Sequence, residues 1–371
     1  MRQRRFSARR AGLRFIALGV GVATVITSLA NLRARDAVHM PGPAPQPRSI
    51  DAAAMNARCE SCHVDIAVEW QRSFHRAAHT DPVYQRAFAI EPLPFCQGCH
   101  APEANPNAPV PGAVGALGVG CVTCHWTGHE VLAAPRPGAP NDHVDAHQIA
   151  RDARFAGAPA CASCHEFAFP DAGKRTTPEL MQSTVSEHAA SANADRSCAD
   201  CHMPLVADKP GAKPHRSHAF DASRNAAMVR RAVTISATRP SPTTARITLA
   251  PTWSGHAFPT GDLFRRVEVH VDAVGAEYQS VTSATRYLMR HFAEKRHGAG
   301  IVRYVESDDR PLGSPMVIDF DLGKDAAALP IAYRIAYQRV EHPRSERPED
   351  SVVEGEIVLS EGMLPPPGKK P

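Results

Sequence analysis

The sequence predicts an α+β protein, with a mainly helix-and-loop region in its N-terminal half and an antiparallel, β-sandwich-like domain after it. Two observations carry this prediction. All ten cysteines lie in one stretch that is rich in proline and glycine and too poor in leucine, isoleucine and valine to build an ordinary core. After about residue 228, apolar and polar residues alternate instead, as they do in half-buried strands.

The ten cysteines form five copies of Cys-x-x-Cys-His. The copies are Cys59, Cys62 and His63; Cys96, Cys99 and His100; Cys121, Cys124 and His125; Cys161, Cys164 and His165; and Cys198, Cys201 and His202. This spacing is the attachment signature of c-type haem, in which the thiols bond to the haem edge and the following histidine binds its iron. A redox pair, a zinc knuckle or a disulfide framework would not place histidine at the same offset five times. The sequence therefore predicts five covalently bound haem c groups with five proximal histidines.

The first thirty residues are typical of an export segment. Six arginines and no acidic residue accompany an apolar run from Phe15 to Ala30. Residues 1–30 are predicted to be a signal peptide or N-terminal membrane anchor, and 31–55 a proline-rich linker. Small residues at Ser28–Ala30 suit cleavage, whereas the arginines that follow suit retention, and both remain open. The predicted location is periplasmic, either soluble after cleavage or anchored to the inner membrane.

Beyond the linker, three further segments are predicted. They are a pentahaem cytochrome c domain at 56–227, a β-sandwich-like domain at 228–362 and a disordered tail at 363–371. Helices are expected at 64–79, 81–90, 142–154 and 178–193. Strands are expected around Val233–Ser236, Ala245–Leu249, Val267–Val271, Ile331–Tyr337 and Gly355–Leu359.

The formal net charge of +4 does not indicate a nucleic-acid-binding protein. Six of the 42 basic residues belong to the leader, which leaves 36 against 38 acidic residues in the rest of the chain. Haem propionates would make the loaded protein more acidic still. We therefore expect no nucleic-acid partner.

The chain has nineteen histidines. The number outside the five motifs is high for a chain with so few aromatic residues. A sixth ligand for each iron would explain the excess. The distal candidates are His75, His129, His147, His218 and His256, with His79, His143, His188 and His215 in reserve. If residues 142–154 are helical, His143 and His147 share one face, and such a pair also suits zinc or a hydrogen bond to a propionate.

The haem segment resembles the cytochrome c-554/c-prime type of multihaem cytochrome. The residues that carry the resemblance are Trp70-x-x-Ser73-x-His75, Gly118-Val-Gly-Cys-Val-Thr-Cys-His-x-x-Gly-His129, and Cys198-x-x-Cys-His-Met-Pro204 followed by Ser217-His-Ala-Phe220. It implies that His75, His129 and His218 are distal ligands. Gly255-His-Ala-Phe-Pro-Thr-Gly261 resembles a motif in the C-terminal β-domain of larger members, from which His256 would reach back to a haem. At position 188 the expected residue is tryptophan, which counts against His188 as a ligand.

The abundance of candidate distal histidines favours an electron carrier, because iron with two imidazoles binds no substrate. The predicted role is a relay from a quinol-linked membrane donor to a periplasmic or outer acceptor, with no catalytic residues. The alternative is an oxidoreductase acting on hydroxylamine or a small nitrogen or sulfur oxyanion at one five-coordinate haem. Pentahaem nitrite reductases typically replace one proximal histidine with lysine, and no motif here ends in lysine. Hydroxylamine oxidoreductases cross-link a tyrosine to haem, and the haem segment contains only Tyr84.

Overall fold

The computed structural model describes residues 40–42, 51–136, 143–144, 147–170, 179–207, 214–297 and 300–368. The predicted leader, most of the predicted linker and the end of the predicted tail lie outside these residues, although residues 52–55 of the linker belong to a helix. Pro41–Pro371 form one compact unit. Within the described part of the chain, no helix is long and apolar enough to cross a membrane.

Residues 51–225, called the haem region below, consist of short helices joined by loops. The helices are α1 Ala52–Cys62, α2 Val64–Gln71, α3 Phe74–Ala77, α4 Pro82–Ile90, α5 Pro94–His100, α6 Gly112–Leu117, α7 Cys121–His125, α8 Pro159–His165, α9 Thr184–Ala189 and α10 Cys198–His202. Local sequence starts many of them, since Asp51, Ser73, Asp81 and Ser197 accept backbone hydrogen bonds at N-termini. Each Cys-x-x-Cys-His motif ends a helix, with its histidine at the last helical residue or directly after it.

Short strands complete the haem region. They are β1 Val131–Ala133, β2 His143–Val144, β3 His147–Arg151, β4 Glu166–Ala168, β5 Leu180–Ser183, β6 Leu205–Val206 and β7 His215–Arg216. The helix expected at 142–154 is wrong, because β3 pairs with both β1 and β2 and these ladders override the local helical pattern. The helix expected at 178–193 shrinks to α9, since β5 pairs with β4 ahead of it. The helices expected at 64–79 and 81–90 form, the first divided into α2 and α3.

Residues 226–368, called the β region, begin with helix α11 Ala226–Ala232. The strands are β8 Val233–Ser241, β9 Thr244–Pro251, β10 Arg265–Val274, β11 Ser280–Leu288, β12 Arg290–His297, β13 Gly300–Asp308, β14 Met316–Asp321, β15 Ile331–Val340 and β16 Val353–Leu364. They form an antiparallel sheet in the order β14-β9-β8, a second in the order β11-β10-β15-β16, and the hairpin β12-β13.

Both antiparallel sheets contribute to one hydrophobic cluster. Ile247 and Leu249 of the first sheet and Val269 and Ile335 of the second are fully buried in it. The alternation of apolar and polar residues thus separates an inner from an outer face, as the sequence predicts. The α+β fold class is confirmed, with a helix-and-loop region first and an antiparallel, sheet-rich region after it.

Ion pairs connect the haem region with the β region. Asp81, the N-cap of α4, lies 3.4 Å from Arg339 of β15. Arg303 of β13 lies 3.2 Å from Glu91 at the end of α4. These contacts hold the C-terminal end of β15 and the β12-β13 hairpin close to α4, the helix that precedes the second Cys-x-x-Cys-His motif.

Candidate haem-binding site

All five Cys-x-x-Cys-His motifs line one continuous cavity of 2410 Å³. This is several times the size of a pocket for one small ligand, which is about 300–1,000 Å³. The haem region has few aliphatic residues to fill such a space, and among its described residues the hydrophobic cluster consists of Ala52, Trp70, Leu117 and Val122 with two partly buried neighbours. A cavity of this kind fits several apolar macrocycles packed together.

The motif histidines are held in an orientation that leaves one ring nitrogen for a metal. The Nδ1 atoms of His100, His125 and His202 lie 2.6, 2.8 and 2.8 Å from the carbonyl oxygens of Ala78, Leu132 and Asp221. Each donates a hydrogen bond there, which fixes the tautomer with a free Nε2. His165 differs, since its Nδ1 lies 3.3 Å from Gln182 Nε2, which donates. For the three histidines bonded to carbonyls, Nε2 is free. This orientation is the usual one for a histidine that binds a metal.

Four motif histidines face a second imidazole at nearly the same distance. The ring-centre distances are 6.4 Å for His63 and His147, 6.3 Å for His165 and His75, 6.2 Å for His125 and His218, and 6.2 Å for His202 and His256. Two imidazoles on opposite sides of one metal, with metal–nitrogen bonds of about 2.0 Å and about 1.15 Å from nitrogen to ring centre, have ring centres about 6.3 Å apart. The residues therefore fit a hexacoordinate haem iron at four motifs.

Burial keeps several of these imidazoles neutral. It lowers the pKa of His75 to about 3, with a further contribution from neighbouring histidines. Burial likewise lowers the pKa of His165 and of His218 to about 4. Neutral imidazole is the form that donates its lone pair to iron, so these groups are ready to bind metal across the physiological pH range.

Residues around Trp70 position His75. Trp70 is buried, and its Nε1–H donates to the carbonyl of Val119, 2.8 Å away. The N–H of Val119 in turn donates to the carbonyl of His75 at 2.8 Å, and Ser73 Oγ caps the helix that carries His75. Gly118 has φ +58°, and a Cβ there would lie 2.4 Å from the His75 carbonyl oxygen. Trp70, Ser73 and Gly118 thus hold the backbone of His75 close to the residues that precede the third motif.

Backbone carbonyl groups of neighbouring residues orient the rings of His218 and His256. His218 Nδ1 donates to the carbonyl of Arg216 at 2.8 Å, and its backbone N–H donates to Glu69 at 2.7 Å. His256 lies on the connection between β9 and β10, where its Nδ1 donates to the carbonyl of Ala257 at 3.0 Å. Both rings therefore present Nε2 to the motif histidine opposite.

His129 and His188 are placed away from the motif imidazoles. The His129 side chain is 78% exposed and lies 3.8 Å from Glu130. His188 has its two ring nitrogens 2.7 and 2.9 Å from the carbonyls of Gly255 and Arg196, and so neither is directed at an iron position. The structure does not bring either residue opposite a motif histidine.

The other reserve residues form no described ring pair with a motif histidine, although His79 lies near His100, with its ring 5.8 Å from that of Tyr84. His215 Nε2 lies 3.3 Å from Glu69, and His79 packs against Gly115 of α6. The side chain of His143 lies outside the described residues, although its backbone belongs to β2. The zinc alternative for His143 and His147 loses its helical basis, because His147 begins a strand.

The second motif differs from the other four. Among the side chains that the structure describes, no imidazole ring lies opposite His100; instead the Tyr84 ring stacks on it, with centres 3.8 Å apart and planes 9° apart. Tyr84 Oη is buried without a hydrogen-bond partner, and burial together with Cys96 and Cys99 raises its pKa. Burial lowers the pKa of His100, and Asp262, His79 and Arg339 also act on it electrostatically. This motif fits a haem whose distal side has no described imidazole.

Thiols of different motifs interact, which gives the neighbour relations among the five sites. The interacting pairs are Cys59 with Cys121, Cys99 with Cys164, Cys161 with Cys124, and Cys161 with Cys198. The first and third sites are therefore neighbours, and so are the third and fourth and the fourth and fifth. The second site lies beside the fourth.

Comparison with known proteins agrees with this geometry. Residues 58–126 match a family model described as "Cytochrome c554 and c-prime". The segment with the first three motifs is thus similar to multihaem cytochromes c of this type. A solved structure, that of a penta-heme cytochrome c552 from Thermochromatium tepidum, matches with a TM-score of 0.62 at 17% identity, over 82% of this chain and 97% of that one. No curated protein matches the chain.

The match to this family model supports covalent haem c and a role in electron transfer or other redox chemistry for this chain. Two features of its site escape sequence reasoning. The carbonyl acceptors of the motif histidines carry no side-chain signal at all. Tyr84 stacks on His100, and the sequence singles out Tyr84 only as the sole tyrosine of the haem segment.

Proposed function

We propose that this chain is a pentahaem electron carrier of the periplasm, which passes electrons from a quinol-linked membrane donor to a periplasmic or outer acceptor. The observation that carries the proposal is the set of four imidazole pairs with ring centres 6.2–6.4 Å apart. A haem iron with two imidazoles exchanges one electron with little rearrangement and offers no position to a substrate.

The chain's own residues support a carrier in three ways. The motif cysteines would hold each haem covalently, and His63, His125, His165 and His202 would bind iron with His147, His218, His75 and His256 opposite. The neighbour relations of the motifs give a row of first, third, fourth and fifth sites, with the second beside the fourth. Neutral, buried imidazoles avoid proton uptake at these ligands when the charge of the iron changes.

Counting spins in the oxidised protein tests this proposal. Electron paramagnetic resonance of the ferric protein should show low-spin signals for the four paired sites, and cyanide should leave them unchanged. Replacing His218 by Ala should convert one further haem to high spin, because His125 loses the imidazole opposite it. His129→Ala is the matched control, since this exposed side chain faces no motif histidine. A high-spin signal gained in His129→Ala and not in His218→Ala would reject the ligand assignment.

The second motif favours an additional candidate function. With no described imidazole opposite His100, its haem would offer one iron position to a small molecule. Asp262 and Arg339 place both charge signs near this site, which suits a small polar molecule. We propose, as the second candidate, oxidoreduction of hydroxylamine or a small nitrogen or sulfur oxyanion there.

Ligand titration separates the two candidates. A high-spin ferric signal that shifts on addition of nitrite or hydroxylamine, but not with chloride, supports chemistry at the second haem. Turnover with an artificial electron donor must accompany the shift if the protein is an enzyme. Five low-spin irons with no response to these molecules leave the carrier as the function.

A further inference from the structure

A buried ion pair joins the haem region to the β region close to the fifth haem site. Glu187 lies on α9 and Arg310 follows β13. Arg310 Nη2 is 2.7 Å from Glu187 Oε1. The Glu187 side chain is only 8% exposed and that of Arg310 only 4%. Asp308 lies 2.7 Å from the same nitrogen. Buried charges persist only where partners satisfy them, so this is a specific contact between the two regions.

Both members of the pair also bind the His256 loop, which we define as residues 255–261. Thr260 Oγ1 donates to Glu187 Oε2 at 2.5 Å. Arg310 Nη1 donates to the carbonyl of Pro259 at 2.8 Å. The ion pair therefore holds the C-terminal side of the His256 loop through two adjacent residues.

The start of the same loop is attached to the segment at and beyond the end of α9. His188 Nδ1 lies 2.7 Å from the carbonyl of Gly255. Asn193 Nδ2 donates to the carbonyl of Ser254, 3.4 Å away. His256 thus lies between two attachments to the haem region, and its ring is nearly parallel to that of His202, with 12° between the planes.

Glu187 keeps its charge in this setting. Burial alone would raise the pKa of its carboxyl group, but Arg310 and the hydroxyls of Thr260 and Ser183 more than offset burial and hold that pKa below its usual value. A charged carboxylate accepts stronger hydrogen bonds from Thr260 than a neutral acid would. The negative charge is therefore part of the contact.

We propose that Glu187 and Arg310 are positioning residues that hold His256 opposite His202, so that the fifth haem stays six-coordinate. The inference rests on the proposed role of His256 as an iron ligand. With the ion pair broken, the loop loses its contacts at Pro259 and Thr260, and His256 spends part of its time away from the iron. The fifth haem then becomes partly high-spin and open to cyanide.

The test uses Glu187→Gln and Arg310→Gln in the full holoprotein, together with the double variant. Each single variant should raise the high-spin ferric fraction above that of the wild type and create a new cyanide-binding site. The double variant should show little more than either single one, because both remove the same contact. Asp319→Asn is the control: it removes an ion pair with Arg246 of the same 2.7 Å length, but on the exposed face of the β region. This control should leave the high-spin fraction unchanged.

His256→Ala distinguishes failure of this inference from failure of the ligand assignment. It should give one fully high-spin haem whose low-spin signal returns on addition of imidazole. An unchanged spectrum in His256→Ala would reject His256 as a ligand. A changed spectrum there, with Glu187→Gln and Arg310→Gln like the wild type, would overturn the positioning role alone.

Thr260→Val decides the matter if neither charge variant yields holoprotein, because it removes one hydroxyl and no charge. A partial gain of high-spin signal and of cyanide binding supports the inference. An unchanged spectrum with unchanged cyanide binding overturns it.

Discussion

The haem region and the β region differ in how they form a hydrophobic core. In the β region, nineteen buried residues form one cluster between two antiparallel sheets. Among the described residues of the haem region, the hydrophobic cluster has four buried members, and the five motifs line a cavity of 2410 Å³. The core of the β region consists of its own side chains. The haem region instead has a cavity, which haem groups rather than side chains would fill. We therefore expect the two regions to depend on haem to very different extents.

Removing haem should produce the largest effect. Without covalent haem attachment, the haem region loses the groups that fill its cavity and should not fold, whereas the β region keeps its own core. Limited proteolysis of the unloaded protein should leave a resistant fragment that begins near residue 226, with circular dichroism typical of β-structure. If the unloaded haem region resisted proteolysis as well as the β region, the contrast between the two cores would be wrong.

A cavity in the β core tests the other side of the comparison. Ile335 is fully buried, and Ile335→Ala should lower the free energy of unfolding of the β region by about 2–5 kcal/mol. The haem absorption spectrum of the folded protein should stay the same. The matched control is Val317→Ala in the same region, where the side chain is 54% exposed and the change should stay within about 0.5 kcal/mol. Denaturation followed by circular dichroism measures both, and equal effects would contradict a localised core.

A smaller effect is expected at Gly118, where backbone geometry positions a proposed ligand. Gly118→Ala forces an L-residue into a positive φ and brings Cβ against the His75 carbonyl, at a cost of about 1–3 kcal/mol. Because His75 must then move, the fourth haem should lose part of its low-spin signal. Gly112→Ala is the control, since a Cβ there meets no atom within 4 Å. Identical spectra for the two variants would show that Gly118 does not position His75.

The smallest effect is a pH dependence in the hairpin of the β region. His291 lies 3.4 Å from Asp309, and the hydrogen bond to Asp309 raises the pKa of His291 above its usual value of 6.5. The resulting stabilisation is fully present below the unfolded-state pKa and is lost as the pH rises through the higher folded-state pKa. For a partly exposed pair it should amount to about 0.5 kcal/mol. Unfolding free energies of the wild type and His291→Gln should therefore converge at alkaline pH; a constant difference would contradict the assignment.

Sequence reasoning works best where the pattern is local. The Cys-x-x-Cys-His spacing locates all five motif histidines, and the alternation around Val267–Val271 and Ile331–Tyr337 locates two central strands of the β region. The helix expected at 142–154 fails because pairing of β3 with β1 and β2, which is not local, outweighs local propensity.

The pairing of histidines is harder to predict than their identity. His129 follows the third motif closely, yet the ring that faces His125 is that of His218, far along the chain. His75 follows the first motif but faces His165 of the fourth. Such pairs depend on how the helices pack around the cavity, and no short-range pattern records that packing. The ligand set itself stays a prediction until the spins are counted.

As iron ligands, the imidazole pairs would also cross-link the chain. With these pairs as ligands, each iron closes a loop of about 50 to 90 residues, lengths at which closure entropy changes only slowly with size. The loops 63–147, 75–165, 125–218 and 202–256 overlap in sequence, so every position from 63 to 256 lies inside at least one of them. A protease that cuts the loaded protein once anywhere in that span would leave both pieces tied together through iron, and they would separate only after the haem ligands are displaced.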